Sequence, residues 1–176
     1  QVLSTNGSGV LDWVAGGGNW VKISSQTASA SATINFTGLS STYAAYCVVL
    51  THIAPATDGV ELWLRTSTDG GSTYNAGATD YSWARISAQG GVVEGLDDTA
   101  GDAEIVIGGD TNGLGNAANE SSSGVVFIYN PSAAKYGHVM WQLNETDPSG
   151  ALVPVFGAAR RNAAADIDAI RFLMNS

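Results

Sequence analysis

The sequence predicts an all-β protein: an antiparallel β-sandwich of jelly-roll type, with about ten strands in one domain spanning residues 1–176. Three observations favour this fold. Apolar residues occur in short runs or alternate with polar ones, with a period of two rather than the helical period of 3.6. Clusters of Gly, Asn, Asp and Ser separate these runs, as they do between the short strands of sandwiches. Only 13% of the residues are charged, whereas coiled coils and helical bundles need Glu and Lys at helical spacing.

Four strands are predicted between residues 20 and 65, after a candidate N-terminal arm at residues 1–19. Residues 20–23 and 32–36 alternate apolar and polar positions. Residues 46–53 form a near-continuous apolar run, which is typical of a strand covered on both faces. Residues 60–65 alternate most clearly and place Trp63 on the side opposite the predicted core.

The rest of the chain continues this pattern. Further strands are predicted at residues 81–86, 104–107, 125–129, 139–143, 152–156 and 166–173. The Asp-Gly-Gly triplet at residues 69–71 predicts a hairpin or a loop, and in the hairpin residues 81–86 are the return strand. The turn at Asn130 pairs the strands that flank it, and Pro154 indicates an edge strand or a bulge. The polar, Gly/Asn-rich segment 108–124 is either a functional loop or a subunit contact.

The charge balance limits the partners that the chain can bind. Seven basic residues and sixteen acidic ones give a formal net charge of −9, which disfavours nucleic acid and anionic membrane surfaces. No apolar stretch reaches the length of a membrane span. Residues 94–120 contain acids but no base and are expected to form a solvated acidic loop region. Cys47 lies in an apolar run and is expected to pack in the core.

The sequence predicts no cofactor and has too few His and Cys residues at useful spacing for a metal site of that kind, whereas calcium has two candidate places. Residues 110–116 offer oxygen ligands at alternate positions, but an EF-hand loop starting there would need other residues at Leu114 and Ser121. A second acidic group has four members: Asp97, Asp98, Asp102 and Glu104. These carboxylates could hold a hard cation through a loop. We assign no metal ligand, and the sequence leaves calcium binding at either place open.

Enzymatic activity is not expected either. The two histidines, His52 and His138, do not neighbour a nucleophile motif; His52 is expected to be a structural residue and His138 to be partly exposed. Glycoside hydrolysis needs two carboxylates at a defined separation. The sequence alone does not pair any of the candidates, which are Glu61, Glu94, Glu104, Glu120 and Glu145.

Four aromatic residues are the candidate site for a partner or a glycan: Trp63, Tyr74, Tyr81 and Trp83. They flank the predicted hairpin. Exposed Trp and Tyr side chains either stack on sugar rings or anchor a protein interface. The structural alternative is that Trp63 covers a second core layer inside the sandwich. The pattern of the strand leaves both interpretations open.

Several blocks of the sequence resemble one group of proteins. The blocks are residues 27–39, Thr42-Tyr43, Leu-Trp-Leu-Arg-Thr-Ser-Thr-Asp-Gly-Gly-Ser-Thr-Tyr at 62–74, Ile-Tyr-Asn-Pro at 128–131 and Ile-Arg-Phe-Leu at 170–173. Over residues 20–174 the chain resembles tailed-bacteriophage virion proteins of the tail-fibre, head-fibre and capsid-decoration type. The block at 62–74 is the most specific part of this likeness.

The resemblance implies a non-enzymatic β-sandwich on the virion, which is assembled in the host cytoplasm. It implies homo-oligomers, often trimers, that contact capsid or fibre subunits, and it supplies no catalytic residue. The pattern of the group has a further strand after the one at 170–173, so either that strand is missing or a neighbouring subunit supplies it. The alternative function is a carbohydrate-binding module or lectin-like adhesin that contacts a host surface glycan.

Overall fold

The computed structural model describes residues 2–5, 11–14, 20–109, 112–131 and 135–175, with backbone only for the first two segments and for residues 94–97. The described residues form β-strands and no helix, which confirms the all-β prediction. The strands are β1 (Val2–Thr5), β2 (Leu11–Val14), β3 (Thr33–Thr37), β4 (Ala45–Ile53), β5 (Leu62–Ser67), β6 (Tyr81–Gln89), β7 (Val92–Asp102), β8 (Ile105–Gly108), β9 (Ser122–Tyr129), β10 (Tyr136–Thr146), β11 (Leu152–Ala164) and β12 (Ala169–Met174).

Two antiparallel sheets make up the body in a sandwich-like arrangement. The larger sheet has the strand order β4-β9-β10-β11-β6-β7, and the smaller one has the order β3-β12-β5-β8. Strands β1 and β2 pair with each other as an antiparallel two-stranded sheet. Both main sheets contribute buried side chains to a single apolar cluster, so the core lies between their facing surfaces.

The largest core residue is held at the centre of the larger sheet by a glycine. Trp141 on β10 is directly opposite Gly157 on β11. A Cβ atom at Gly157 would lie 2.0 Å from Cζ2 of the Trp141 ring. The indole therefore occupies the space that any other side chain at position 157 would need.

A buried tyrosine links the two sheets. Tyr81 on β6 accepts a hydrogen bond from the Thr66 backbone N–H on β5 at 2.8 Å, and its hydroxyl donates to the Asn75 carbonyl at 3.1 Å. Burial raises the pKa of Tyr81, so the phenol stays neutral and keeps its proton as a donor. These bonds connect strands of opposite sheets through the core.

The predicted hairpin around residues 69–71 is wrong. Strands β5 and β6 lie in different sheets, so the segment between them crosses from one layer to the other. The Asp-Gly-Gly turn instead closes locally, since the Asp69 carboxylate accepts hydrogen bonds from the Thr73 hydroxyl at 2.6 Å and the Ser67 hydroxyl at 2.8 Å. Of the two alternatives predicted for residues 69–71, the loop is therefore correct, and it belongs to a connection between the two sheets.

Three other local predictions are also wrong. Strand β4 is at an edge of the larger sheet and is not covered on both faces. Residues 20–23 have no regular secondary structure. Cys47 is half-buried on the outward side of β4 and does not lie in the core.

The acidic region and the proline strand also differ from expectation. Residues 94–120 include most of β7 and all of β8, so much of the predicted loop is sheet. Strand β11 lies inside the larger sheet, although Pro154 suggested an edge. The proline is tolerated because the pairing with β6 begins one residue later, at Val155 opposite Ser87.

The remaining strand predictions are confirmed. Strands β9 and β10 pair as expected, with Ile128 opposite Val139. The strand predicted at 166–173 is present as β12, although it begins three residues later and ends one residue later, at Ala169–Met174. In β5 the side chains of Leu62 and Leu64 are buried and that of Trp63 is not, as the alternation predicted.

Candidate functional surfaces

The outward side of the smaller sheet carries polar and aromatic side chains, and we call it the polar face. Its members are Asn35, Glu61, Trp63, Arg65, Tyr74, Glu104 and Arg171. Asn35, Arg171 and Arg65 are neighbours in one row across β3, β12 and β5. Arg171 Nε donates to Asn35 Oδ1 at 2.8 Å, and Arg65 Nη2 pairs with Glu104 Oε2 at 2.9 Å.

The two aromatic rings of the polar face are held by their neighbours. Trp63 Nε1 donates to Glu61 Oε2 at 2.8 Å, and the Arg65 guanidinium lies 5.8 Å from the centroid of the indole. The Arg171 guanidinium lies 3.9 Å from the centroid of the Tyr74 ring. Burial raises the pKa of Tyr74. The rings are therefore parts of a cross-linked surface.

The four aromatic residues predicted as a binding site do not converge. Trp63 and Tyr74 share the polar face, where both are half-buried. Tyr81 is fully buried between the sheets, so it is not available to a ligand. Trp83 lies on the inward side of β6, packs against the core and donates from Nε1 to Asp102 Oδ2 at 3.1 Å. The set separates because β5 and β6 belong to different sheets.

The outward side of the larger sheet is apolar across five adjacent strands, and we call this region the apolar stripe. Its members are Val49, Ile86, Val125, Phe127, Met140 and Phe156. One row runs through Val49, Val125, Gln142, Phe156 and Ile86, and the next runs through Cys47, Phe127, Met140, Ala158 and Ala84. Val49 is 66% exposed, Phe156 46% and Met140 45%.

A segment at the start of the described body lies beside this stripe. Residues 20–32, which we call the strap, have no regular secondary structure, and all of their side chains are exposed. The Trp20 ring is 6.2 Å from the Phe127 ring, which itself stacks on Tyr129. The Gln26 side chain donates to the carbonyl of Asn35. The strap therefore begins at the apolar stripe and ends at β3.

The candidate carboxylates have structural contacts. Glu145 accepts hydrogen bonds from the Gly109 N–H at 3.1 Å, and Glu120 accepts one from the Ala117 N–H at 2.8 Å. Asp147, a buried carboxylate that was not among the candidates, behaves in the same way: burial would raise its pKa, but hydrogen bonds from Ser149, Ala151 and Gln89 hold it well below its usual range. Each carboxylate thus fixes a loop by accepting backbone or side-chain donors.

No three His, Cys, Asp or Glu side chains converge as a metal site in the described part of the chain. Asp110 and Thr111, proposed as calcium ligands, lie outside the described residues, as do the side chains of Glu94 and Asp97. His138 is exposed on β10. His52 is also exposed, and with a φ of 52° at a register shift of β4 it is not the structural core residue we expected.

Sequence reasoning missed the apolar stripe, although a signal for it exists. Residues 46–50 and 125–128 are apolar at consecutive positions. Consecutive apolar residues mean that both sides of the strand are apolar, and we attributed this to burial on both faces. In the structure one side faces the core and the other forms the stripe.

Comparisons of this chain with protein-family models, curated proteins and solved structures find no match. No helix that could cross a membrane occurs among the described residues. The polar face and the apolar stripe are therefore the features of the molecule from which a function can be inferred.

Proposed function

We propose that this protein is a non-enzymatic structural component of the surface of a tailed-bacteriophage virion. It acts by packing its apolar stripe against other copies of itself and against capsid or fibre subunits, after assembly in the host cytoplasm. The observation that carries the proposal is the stripe itself: large apolar side chains from five adjacent strands are left outside the core. That the particle is a tailed-bacteriophage virion is inferred from the sequence blocks that resemble virion proteins.

The composition of the stripe favours a protein partner. Monomeric proteins seldom expose a continuous apolar patch of more than a few hundred Å², because covering it is worth roughly 25 cal/mol per Å². Aromatic residues and Met are enriched at the centres of protein interfaces, whereas charged residues are depleted there. The row through Val49, Val125 and Phe156 contains no charged side chain that the structure describes. These properties fit an interface better than a catalytic surface.

Sedimentation velocity of the full chain over a range of concentrations tests the association step. We expect an oligomer that dissociates on dilution and that is lost when charge is placed on the stripe. Cryo-microscopy of virions assembled with and without the protein tests its location. A chain that stays monomeric at every concentration and never appears on particles would contradict the proposal.

The jelly-roll class is proposed for the fold on the basis of strand order. If the β10–β11 hairpin is set aside, the remaining strands from β3 to β12 alternate between the two sheets, with β6 and β7 as the single consecutive pair in one sheet. That alternation is what two interlocked Greek keys produce. The β10–β11 hairpin then widens the larger sheet from four strands to six.

The second candidate function is binding of a glycan at the polar face. The observation that favours it is Trp63, whose half-buried indole is oriented by Glu61 beside Arg65 and Arg171. A glycan array with the wild type and with Trp63→Ala is the test. Binding that Trp63→Ala abolishes and Trp83→Phe preserves would support this function. An array without a hit would contradict it.

A further inference from the structure

The strap and the apolar stripe are both left uncovered within one chain. Trp20 contacts Phe127 but is still 67% exposed, and Val21 and Ile23 are also largely exposed. On the stripe, Val49, Met140 and Phe156 remain exposed in spite of that contact. Fixing a backbone residue costs about 1–2 kcal/mol in conformational entropy. Within its own chain, the strap gains little burial to offset that cost.

The charge of the strap suits an approach to a second copy. Lys22 is the only charged side chain between residues 20 and 57, in a chain with a net charge of −9. Two acidic bodies repel each other, whereas an uncharged or basic segment can approach such a body. A segment that carries one positive charge and no negative one can therefore lie on the stripe of another copy without adding to that repulsion.

We propose that the strap is exchanged between copies, so that Trp20, Val21 and Ile23 of one copy cover the apolar stripe of a second copy. This inference rests on the assembly function proposed above and names the partner: the strap of another molecule of this chain. The side chains at 20, 21 and 23 are apolar and exposed, and so are several side chains of the stripe, so each set can bury the other. Exchange covers both surfaces at once, which the contact within one chain does not.

The single cysteine of the chain provides a direct test. Cys47 lies on the outward side of β4, directly opposite Phe127, so a strap seated on the stripe passes close to it. A second cysteine is introduced by Val21→Cys in the full chain, and the protein is oxidised above pH 8.5 because burial raises the pKa of the Cys47 thiol. We expect a covalent dimer as the main product on a non-reducing gel.

Matched variants identify the bond that forms. The double variant Val21→Cys with Cys47→Ala removes the acceptor thiol, and we expect it to lose at least 90% of the covalent dimer. Thr68→Cys places a thiol on an exposed loop that follows β5 of the other sheet, and we expect no such dimer from it. A dimer that persists without Cys47 would mean contact between two straps and would overturn the proposal.

The remaining outcomes separate this inference from the proposed function. We expect Trp20→Ala to weaken association about tenfold with an unchanged melting temperature, as measured by sedimentation and calorimetry. If the protein oligomerises through the stripe but Val21→Cys forms only a disulfide within one chain, or none, exchange is wrong and the assembly function stands. If the wild type remains monomeric at every concentration, exchange is wrong, and cryo-microscopy of the virions decides the assembly function: a protein found on particles supports it, and one that is absent contradicts it.

Discussion

The two outward surfaces of this sandwich-like fold differ in how far their side chains already interact within the chain. On the polar face, Arg65 has Glu104, Arg171 has Asn35 and Tyr74, and Trp63 has Glu61. On the apolar stripe, Phe156, Met140 and Val49 point into solvent. The first surface has most of its interactions within the chain, whereas the second can gain free energy by being covered.

This difference shows that pleated strands alone do not decide what an outer surface does. Both surfaces consist of alternate residues on antiparallel strands, with the intervening residues in a common core. The polar face stabilises the monomer, because its side chains bond to one another across strands. The stripe adds little to the monomer and is expected to act between molecules.

The largest effect we expect comes from breaking the core that both surfaces share. Gly157→Ala places a Cβ atom where the Trp141 ring lies, and we expect it to destabilise the protein by about 3 kcal/mol, at the upper end of the usual overpacking cost. Urea unfolding measures the change. Ala158→Ser, the next residue on β11, faces outward and should change stability by less than about 0.5 kcal/mol. Equal effects of the two substitutions would contradict the packing described for Trp141.

Charge on the stripe should separate association from folding. We expect the double variant Met140→Glu with Phe156→Glu to weaken association about 100-fold, because two buried interface positions would then carry charge. The melting temperature of the monomer should stay close to that of the wild type, since both side chains are exposed. Sedimentation velocity and calorimetry give the two values. If the monomer unfolds and association persists, the roles assigned to the two surfaces are reversed.

A substitution on the polar face should do the opposite. Arg65→Met removes the ion-pair partner of Glu104, and the two side chains are only 23% and 14% exposed. We expect a loss of about 1–2 kcal/mol in the free energy of unfolding, measured by urea unfolding, with unchanged association. The double variant Arg65→Met with Glu104→Gln should recover part of the loss, because it no longer leaves a carboxylate without its cation. A double variant less stable than the single one would rule out this explanation.

The smallest effect concerns the acid sensitivity of the turn that follows β5. Hydrogen bonds from Thr73, and then from Ser67, hold the pKa of Asp69 at about 2, below the usual value of about 4. A folded-state pKa below the unfolded one contributes stability above about pH 4, which is lost as the pH falls towards 2. Asp69→Asn should therefore flatten the decline of the urea midpoint between pH 4 and pH 2. The control Asp166→Asn removes the same charge from another exposed position, and an equal flattening there would contradict the role of the turn.

The sequence predicted the elements of this fold better than their placement. The alternation in β5 and the turn at Asn130 are local signals, and each gave the correct strand or pair. Which sheet receives a strand depends on contacts between distant residues, such as Tyr81 with Thr66, and local pattern does not encode them. For this reason the hairpin at residues 69–71 was wrong, and the aromatic site built on it did not assemble.

Local sequence pattern also predicted part of the candidate surfaces. The alternation placed Trp63 beside Arg65 on the side opposite the core, as the structure has it. It did not reveal that Arg171, about a hundred residues later, would lie next to Arg65. The apolar stripe corresponds to runs of the sequence that do not alternate. Such a run does not distinguish a strand that is buried on both sides from a strand that has one apolar side exposed to solvent.

The arrangement of β10 and β11 has a consequence for how this protein can evolve. Trp141 and Gly157 fit together on the inward side, while Met140 and Phe156 lie one residue away on the outward side. Tolerance to substitution should therefore rise and fall at every second position along these two strands. New binding specificities can arise at the outward positions by point mutation, while selection on the inward ones preserves the fold.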